Sequence, residues 1–343
     1  MERGAAVVHQ EEASIVDLLS ERQWHEFDRA GFLRLGPVLD GTELAGLQQR
    51  MDDIMLGRFR YPALRFQLDT GGKYEELPDA VPEATEQTLA YRKVQGLEAD
   101  PLMLDLIRRP LFREICGRQY GRHAGVSIFR AMMMNKPAGK GTYLPWHQDA
   151  GDVWKLDRDP LVTIWIAFDD ATPMNGCMQA IPGSHRLGLL SRDGSTLSAE
   201  DAERHCPDSK IVDLDIPAGE ALLLHNWLIH RSGINHTDTP RRAMTTCYMD
   251  ARTRTTLTGA TFPLVFGNRE DLAIDWPFLD HVTAENQRLR ETAVEAERYA
   301  SSLVAHAAQV EQMRRDTETY AKSLEAELTR IRAEARAATG GGI

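Results

Sequence analysis

Leu144-Pro145-Trp146-His147-Gln148-Asp149 sets an imidazole and a carboxylate two positions apart, one jaw of a metal site. A second histidine has to close such a site from far down the chain. His230 is the candidate, within His225-Asn226-Trp227-Leu228-Ile229-His230-Arg231-Ser232-Gly233. Two histidines and one carboxylate on one face of an iron leave the remaining positions free for a cosubstrate and O₂.

The tripeptide alone proves little, since a chain with eleven histidines is expected to hold about one His-x-Asp by accident. A second one exists, His236-Thr237-Asp238, among Asn235, Thr239 and Pro240. That composition is turn chemistry. What distinguishes His147 is its surroundings. Residues 126–135 and 161–168 read as strands before and after it, Asn175-Gly176 as a turn, and 177–181 as a strand entering Pro182-Gly183. Further strands are expected over 211–216, 220–225 and 242–250. Short strands punctuated by Gly and Pro indicate a sandwich or barrel.

Upstream, Ser20-Glu21-Arg22-Gln23 is a capping-box pattern opening a helix that should stop at Gly31. Phe32 to Leu35 alternates as a strand, and Thr42 is expected to cap a second helix. Residues from about 57 to 90 read as a loop region able to fold over a pocket. A helix is expected from Pro101 to about Gly117, with proline where a missing N–H does no harm. Downstream of 281, Leu289, Ala296, Leu303, Val310, Thr317, Leu324 and Ile331 recur every seven residues, with a second row at Tyr299, His306, Met313 and Tyr320. This predicts a long helix with a coiled-coil seam. The expected fold is α+β with a mainly β, cupin-like jelly roll, flanking N-terminal helices and that C-terminal helix. The expected division is a flexible leader over 1–18, a catalytic domain over 19–280, and a coiled-coil helix with a flexible end over 281–343.

The net charge of −11 and the absence of a basic run argue against nucleic acid as a partner. Four scattered cysteines form neither a zinc knuckle nor a disulfide framework, which suits reduced thiols. No run reaches membrane-spanning length, no signal-peptide core is complete, and the terminal Gly-Gly-Gly-Ile is not a peroxisomal address. A cytoplasmic protein is expected.

Arg241 lies eleven residues after His230. If those residues make a hairpin, its guanidinium returns beside the metal on the neighbouring strand, where a planar fork suits a cosubstrate carboxylate.

From about Trp24 to about Asp250 the chain resembles the phytanoyl-CoA dioxygenase family of Fe(II)/2-oxoglutarate oxygenases. The resemblance is carried by Asp28-Arg29-Ala30-Gly31-Phe32, Lys93-Val94-Gln95, Met134-Asn135-Lys136-Pro137, His147-Gln148-Asp149, Asn175-Gly176-Cys177, Ile181-Pro182-Gly183-Ser184-His185, and His230 to Asn235 with Arg241. It implies a double-stranded β-helix holding Fe(II) through His147, Asp149 and His230. It also implies 2-oxoglutarate contacts at Arg241, Ser232, Lys93, Met132, Gln148 and Trp165, with O₂ as the oxidant. The implied reaction is hydroxylation of an unactivated C–H in a small metabolite, with release of succinate and CO₂. His185 and His225 read as structural. Tyr143, Trp146, Asp152, Trp154 and Arg231 are the residues expected to face the substrate. Two other readings stay open: a metal-dependent cupin enzyme such as an isomerase that does not use 2-oxoglutarate, and a silent scaffold working through the coiled coil. The seam over 281–338 would serve self-association or docking on a partner.

Overall fold

The structure, a computed structural model, describes residues 18–84, 86–191, 196–267 and 277–339, with side chains in the last span described over 298–335. Contacts divide the chain into a unit over 1–279 and a unit over 280–343. The expected leader lies, apart from Leu18, outside the described residues.

In the first unit, helix α1 (Glu21–Ala30) starts as expected. The Ser20 hydroxyl accepts from the Gln23 N–H, and the Gln23 side chain reaches back to the Ser20 N–H. Gly31 ends it at φ 80°, and β1 (Phe32–Pro37) follows. Helix α2 (Gly41–Met55) is capped by Asp40 and not by Thr42, because the Asp40 carboxylate accepts from both Thr42 and Glu43 N–H groups. The expected Pro101–Gly117 helix is two, α3 (Pro101–Ile107) and α4 (Pro110–Tyr120). Pro110 lacks an N–H and its ring collides with the preceding turn, so one helix cannot run through it. The stretch read as loop contains β2 (Arg65–Leu68), which pairs with β3 (Tyr91–Gln95).

The remaining strands are β4 (Val126–Lys136), β5 (Leu144–His147), β6 (Val162–Ala167), β7 (Met178–Ala180), β8 (Val212–Leu214), β9 (Glu220–His225), β10 (His230–Ser232), β11 (Arg241–Asp250) and β12 (Leu264–Phe266), with the short helix α5 (Ala199–His205) before β8. They form two antiparallel sheets. The major one runs β1-β9-β6-β11-β4-β3-β2, with β12 beside β4, and the minor one β5-β10-β7-β8. Facing sheets of this kind make the jelly-roll core.

Alternation along the major sheet decides what each face carries. Ala131 and Met133 of β4, Ile164 and Ile166 of β6, Leu223 of β9 and Met244 of β11 join the core with Trp24, Phe27, Met51, Ile54, Ile107 and Ile115 of the helices. Each such large apolar side chain contributes about 1.5–3 kcal/mol when fully buried. The neighbours one residue away, Trp165, Ala167, Leu222, Leu224 and Ala243, instead join Met178, Ala180 and Leu214 of the minor sheet. The helix layer therefore stiffens one face of the major sheet and leaves the other to build a site against the minor sheet.

Helix α6 spans Pro277–Thr339, and from Asp280 on it belongs to the second unit. Leu303, Val310, Leu324 and Ile331 of the heptad row are exposed, as are Tyr299, Met313 and Tyr320. The side chains of Leu289 and Ala296 lie outside the described residues. No described helix is long and apolar enough to cross a membrane.

Candidate active site

His147 ends β5, His230 begins β10, and the two face each other directly across the minor sheet. Asp149 follows two residues after His147, its backbone N–H donating to the Asn226 carbonyl and the Asn226 amide donating to the Asp149 carbonyl. One ligand atom from each of the three residues lies within 4.8 Å of the others. His147 Nε2 is 4.0 Å from one Asp149 oxygen and His230 Nε2 is 3.8 Å from the other. Among the described residues this is the one His/Cys/Asp/Glu group able to hold a metal ion.

Both imidazoles are oriented by the same local device. His147 Nδ1–H donates to the Pro145 carbonyl at 2.9 Å, and His230 Nδ1–H to the Leu228 carbonyl at 3.0 Å. Each bond fixes the tautomer that turns a bare Nε2 toward Asp149, as metal-binding histidines require. Burial, reinforced by the adjacent His230, pushes the His147 ring down to about 3, so it is neutral at physiological pH. Burial pushes Asp149 upward, but His230, His147, Arg130 and Lys93 outweigh it and hold the carboxyl below its usual range. A neutral imidazole at His147 and an ionised Asp149 are the protonation states in which these two residues bind metal.

The cavity around this group is walled by both sheets. The minor sheet supplies His147, His230 and Ser232; the major sheet supplies Lys93, Met132, Trp165, Thr245 and Arg241. Arg241 does not return on a neighbouring strand of the same sheet. The chain crosses over after β10, and β11 pairs with β4 and β6 of the major sheet. Arg241 thus looks across the gap at the His/Asp group. Asn235 builds the crossover: its amide donates to the Lys136, Pro137 and Thr239 carbonyls, and its oxygen accepts from Thr237. His236 lies in that turn.

The Arg241 guanidinium is nearly buried, donates to the Gly176 carbonyl at 3.0 Å, and sits 5.6 Å over the Trp165 ring. Among the described residues it makes no ion pair, the Asp169 carboxylate acting on it only at longer range, and its Nε has no hydrogen bond. Thr245, which register places between Met132 and Trp165, also has a buried hydroxyl without a partner. Orphaned donors of this kind ask for a ligand rich in acceptors, because a buried polar group left unpaired is costly. A dicarboxylate fits that donor set. Lys93 adds a further cation, pushed down to about 7 by burial and by Arg92 and Arg130.

Residues 27–243 match the model of the phytanoyl-CoA dioxygenase (PhyH) family. The chain belongs to the phytanoyl-CoA dioxygenase family. It is 32% identical over 255 residues to phytanoyl-CoA dioxygenase of Arabidopsis thaliana, covering 67% of this chain and 88% of that one. It is 26% identical over 237 residues to methylphosphonate hydroxylase of Gimesia maris, with 67% and 80% covered. Among solved structures it is similar to SnoK, the non-heme alpha ketoglutarate dependent carbocyclase of nogalamycin biosynthesis, at a TM-score of 0.56 and 21% identity, covering 72% of this chain and 97% of that one. EctD from S. alaskensis with 2-oxoglutarate and 5-hydroxyectoine superposes at 0.54 and 23% identity, covering 73% and 82%. These likenesses establish the jelly-roll fold.

In this phytanoyl-CoA dioxygenase family member, Gln148 departs from the cofactor role expected of it. Lying between two residues that face the cavity, its side chain turns the other way, donating to the Gly188 and Trp227 carbonyls and accepting from the Leu190 N–H. It braces the loop behind the site. Of the residues expected to face substrate, Trp154 lines the cavity. Trp146 and Arg231 pair with each other on the outer face of the minor sheet, at 4.4 Å, again by alternation. His225 accepts from the Trp227 N–H and His185 donates to the Asp28 carbonyl, both away from the cavity. Tyr74, Arg130, Thr163 and Thr245 line the cavity and carried no motif signal. Tyr74 comes from the stretch read as a loop over a pocket.

Proposed function

We propose that the chain is an Fe(II)- and 2-oxoglutarate-dependent hydroxylase of a small metabolite. The carrying observation is the pairing of a His147/Asp149/His230 group on one sheet with a buried Arg241, its Nε without a partner, on the other. His147, Asp149 and His230 would hold the iron, which supplies O₂ activation coupled to decarboxylation of 2-oxoglutarate. Arg241 would pair with the distal carboxylate of the cosubstrate, with Ser232, Thr245 and Lys93 offering further donors and Met132 and Trp165 forming its apolar walls. Asp149 stays ionised under the pull of its cationic neighbours, so a proton does not compete with metal. Burial of His147 and His230 between the sheets keeps bulk water from the ligand nitrogens. A retained carboxylate ligand favours oxygenation, because a halogenase would need that coordination position for halide.

The experiment is anaerobic addition of Fe(II) and 2-oxoglutarate. A visible charge-transfer band that neither component gives alone is expected, followed by succinate once O₂ is admitted, and stimulated by the right metabolite. Neither band nor succinate would overturn the reading. For α6, the heptad row of exposed Leu303, Val310, Leu324 and Ile331 supports self-association through a parallel or antiparallel seam.

A further inference from the structure

Three cations, Lys93, Arg130 and Arg241, face the cavity against a single carboxylate, Asp149. Arg241 and Lys93 fall within reach of a dicarboxylate cosubstrate, and Asp149 belongs to the metal group. Arg130 is left over. Among the described residues it makes no hydrogen bond and no ion pair, and its Nε is shut off from solvent without a partner.

The side chain is nonetheless fixed. Its guanidinium carbon lies 4.4 Å over the Phe129 ring and 4.2 Å over the Trp154 ring, and those two rings stack at 4.7 Å. The strand is shaped to allow this. Ile128 pairs with Tyr248 and Arg130 with Cys247, so the register shifts and Phe129 has no partner on β11. Such a bulge re-aims side chains and is a feature of ligand sites. It breaks the alternation just before Arg130, which with Met132 and Met134 lines the cavity. An arginine packed against a stacked aromatic pair has less freedom to lose, so its planar N–H fork meets an oxyanion at little entropic cost.

We infer that Arg130, packed against the Phe129–Trp154 stack, is the specificity-determining contact for substrate, and that the substrate carries an oxyanion, carboxylate or phosphoryl, near the carbon presented to the metal group. The inference rests on the proposed dioxygenase reading for the placement of that carbon, but not for the anion site itself. With iron, Asp149, Arg241 and a doubly charged cosubstrate in place the formal charges cancel, so Lys93 and Arg130 are the cations left for a substrate anion, and of the two Arg130 makes no hydrogen bond or ion pair among the described residues.

The test is calorimetry on the Fe(II)- and 2-oxoglutarate-loaded protein under nitrogen, and in parallel on metal-free protein, with butyrate, propylphosphonate and neutral n-butanol as probes. At least one anion should bind on the order of tenfold tighter than n-butanol, and Arg130→Gln should remove that preference while Arg130→Lys keeps part of it. The two anions separate carboxylate from phosphoryl recognition. Affinity for 2-oxoglutarate should change less than about twofold in Arg130→Gln, whereas Arg241→Gln should lose it. Equal binding of neutral and anionic probes overturns the inference, and so does loss of 2-oxoglutarate affinity in Arg130→Gln, which would make Arg130 a cosubstrate residue. If the wild type binds no 2-oxoglutarate yet metal-free protein still prefers the anion through Arg130, the dioxygenase reading fails and the anion site stands. Unchanged melting of Arg130→Gln separates lost recognition from lost folding.

Discussion

His147 and His230 sit opposite each other on adjacent antiparallel strands, their ring centroids 4.0 Å apart and tilted by 46°. Two rings at that distance, both with Nδ1 tied to the backbone, leave only Nε2 to point at a common ion. The sheet register, set by strand pairing and not by the ligands themselves, brings together residues far apart in the chain.

Metal should therefore stabilise the fold through His230 and not through His236. With Mn(II) or Co(II) as oxygen-stable probes, wild-type protein should gain roughly 2.7 kcal/mol at a hundredfold excess over Kd. Thermal melting of His230→Ala should show no metal-dependent gain, while His236→Ala behaves as wild type. Equal loss in both variants would mean the distal ligand lies elsewhere.

Gly176 should be a second route to losing cosubstrate. Its φ is +76°, and a Cβ there would lie 2.6 Å from the Gly233 carbonyl oxygen, against backbone that cannot rotate away. Its own carbonyl is the acceptor for Arg241. Gly176→Ala should cost about 1–3 kcal/mol in strain and weaken 2-oxoglutarate binding about tenfold, read by melting and by calorimetry. Loss of stability with full cosubstrate affinity would detach the turn from Arg241.

Lys136 gives a pH dependence with a definite sign. Its Nζ donates to the Thr142 carbonyl in a buried position. Burial, followed by Arg241 and Arg92, pushes it from 10.5 down to about 6. Between those values the unfolded chain holds a proton that the native state has released, so stability rises with pH across that window and the penalty grows as pH falls toward 6. Relative to Lys136→Met, wild-type stability should climb with pH by about 1.4 kcal/mol per unit. Parallel curves for the two proteins in denaturant titrations from pH 6 to 10 would show the lysine keeps its proton.

Truncation after Asp280, which leaves only the first four residues of α6, should lower the number of copies in the sedimenting particle if the heptad row pairs between copies. An unchanged number of copies would disprove intermolecular pairing.

The parts of the site that stood out in the sequence were those with their own chemistry. His147 and Asp149 are close in sequence, His230 and Arg241 belong to recognisable motifs, and the strands around them alternate. Thr245 and Arg130 carried no such signal because their roles come from register: Thr245 matters through being opposite Met132 and Trp165, and Arg130 through a bulge that no local composition marks. The side chains of Gln148, Trp146 and Arg231 turn away from the cavity for one physical reason. On extended chain, every second side chain leaves the face its neighbours share. The crossover to the other sheet after β10 was likewise invisible, since a turn rich in Asn, Thr and Pro suits a hairpin and a sheet switch equally.

That crossover makes the gap between the sheets a gauge. The histidines are anchored to one wall and the guanidinium to the other, so the proposed function predicts that an oxo-diacid binds only if its length bridges them. Oxaloacetate, one carbon shorter, should fall short of Arg241, and 2-oxoadipate, one carbon longer, should have to buckle.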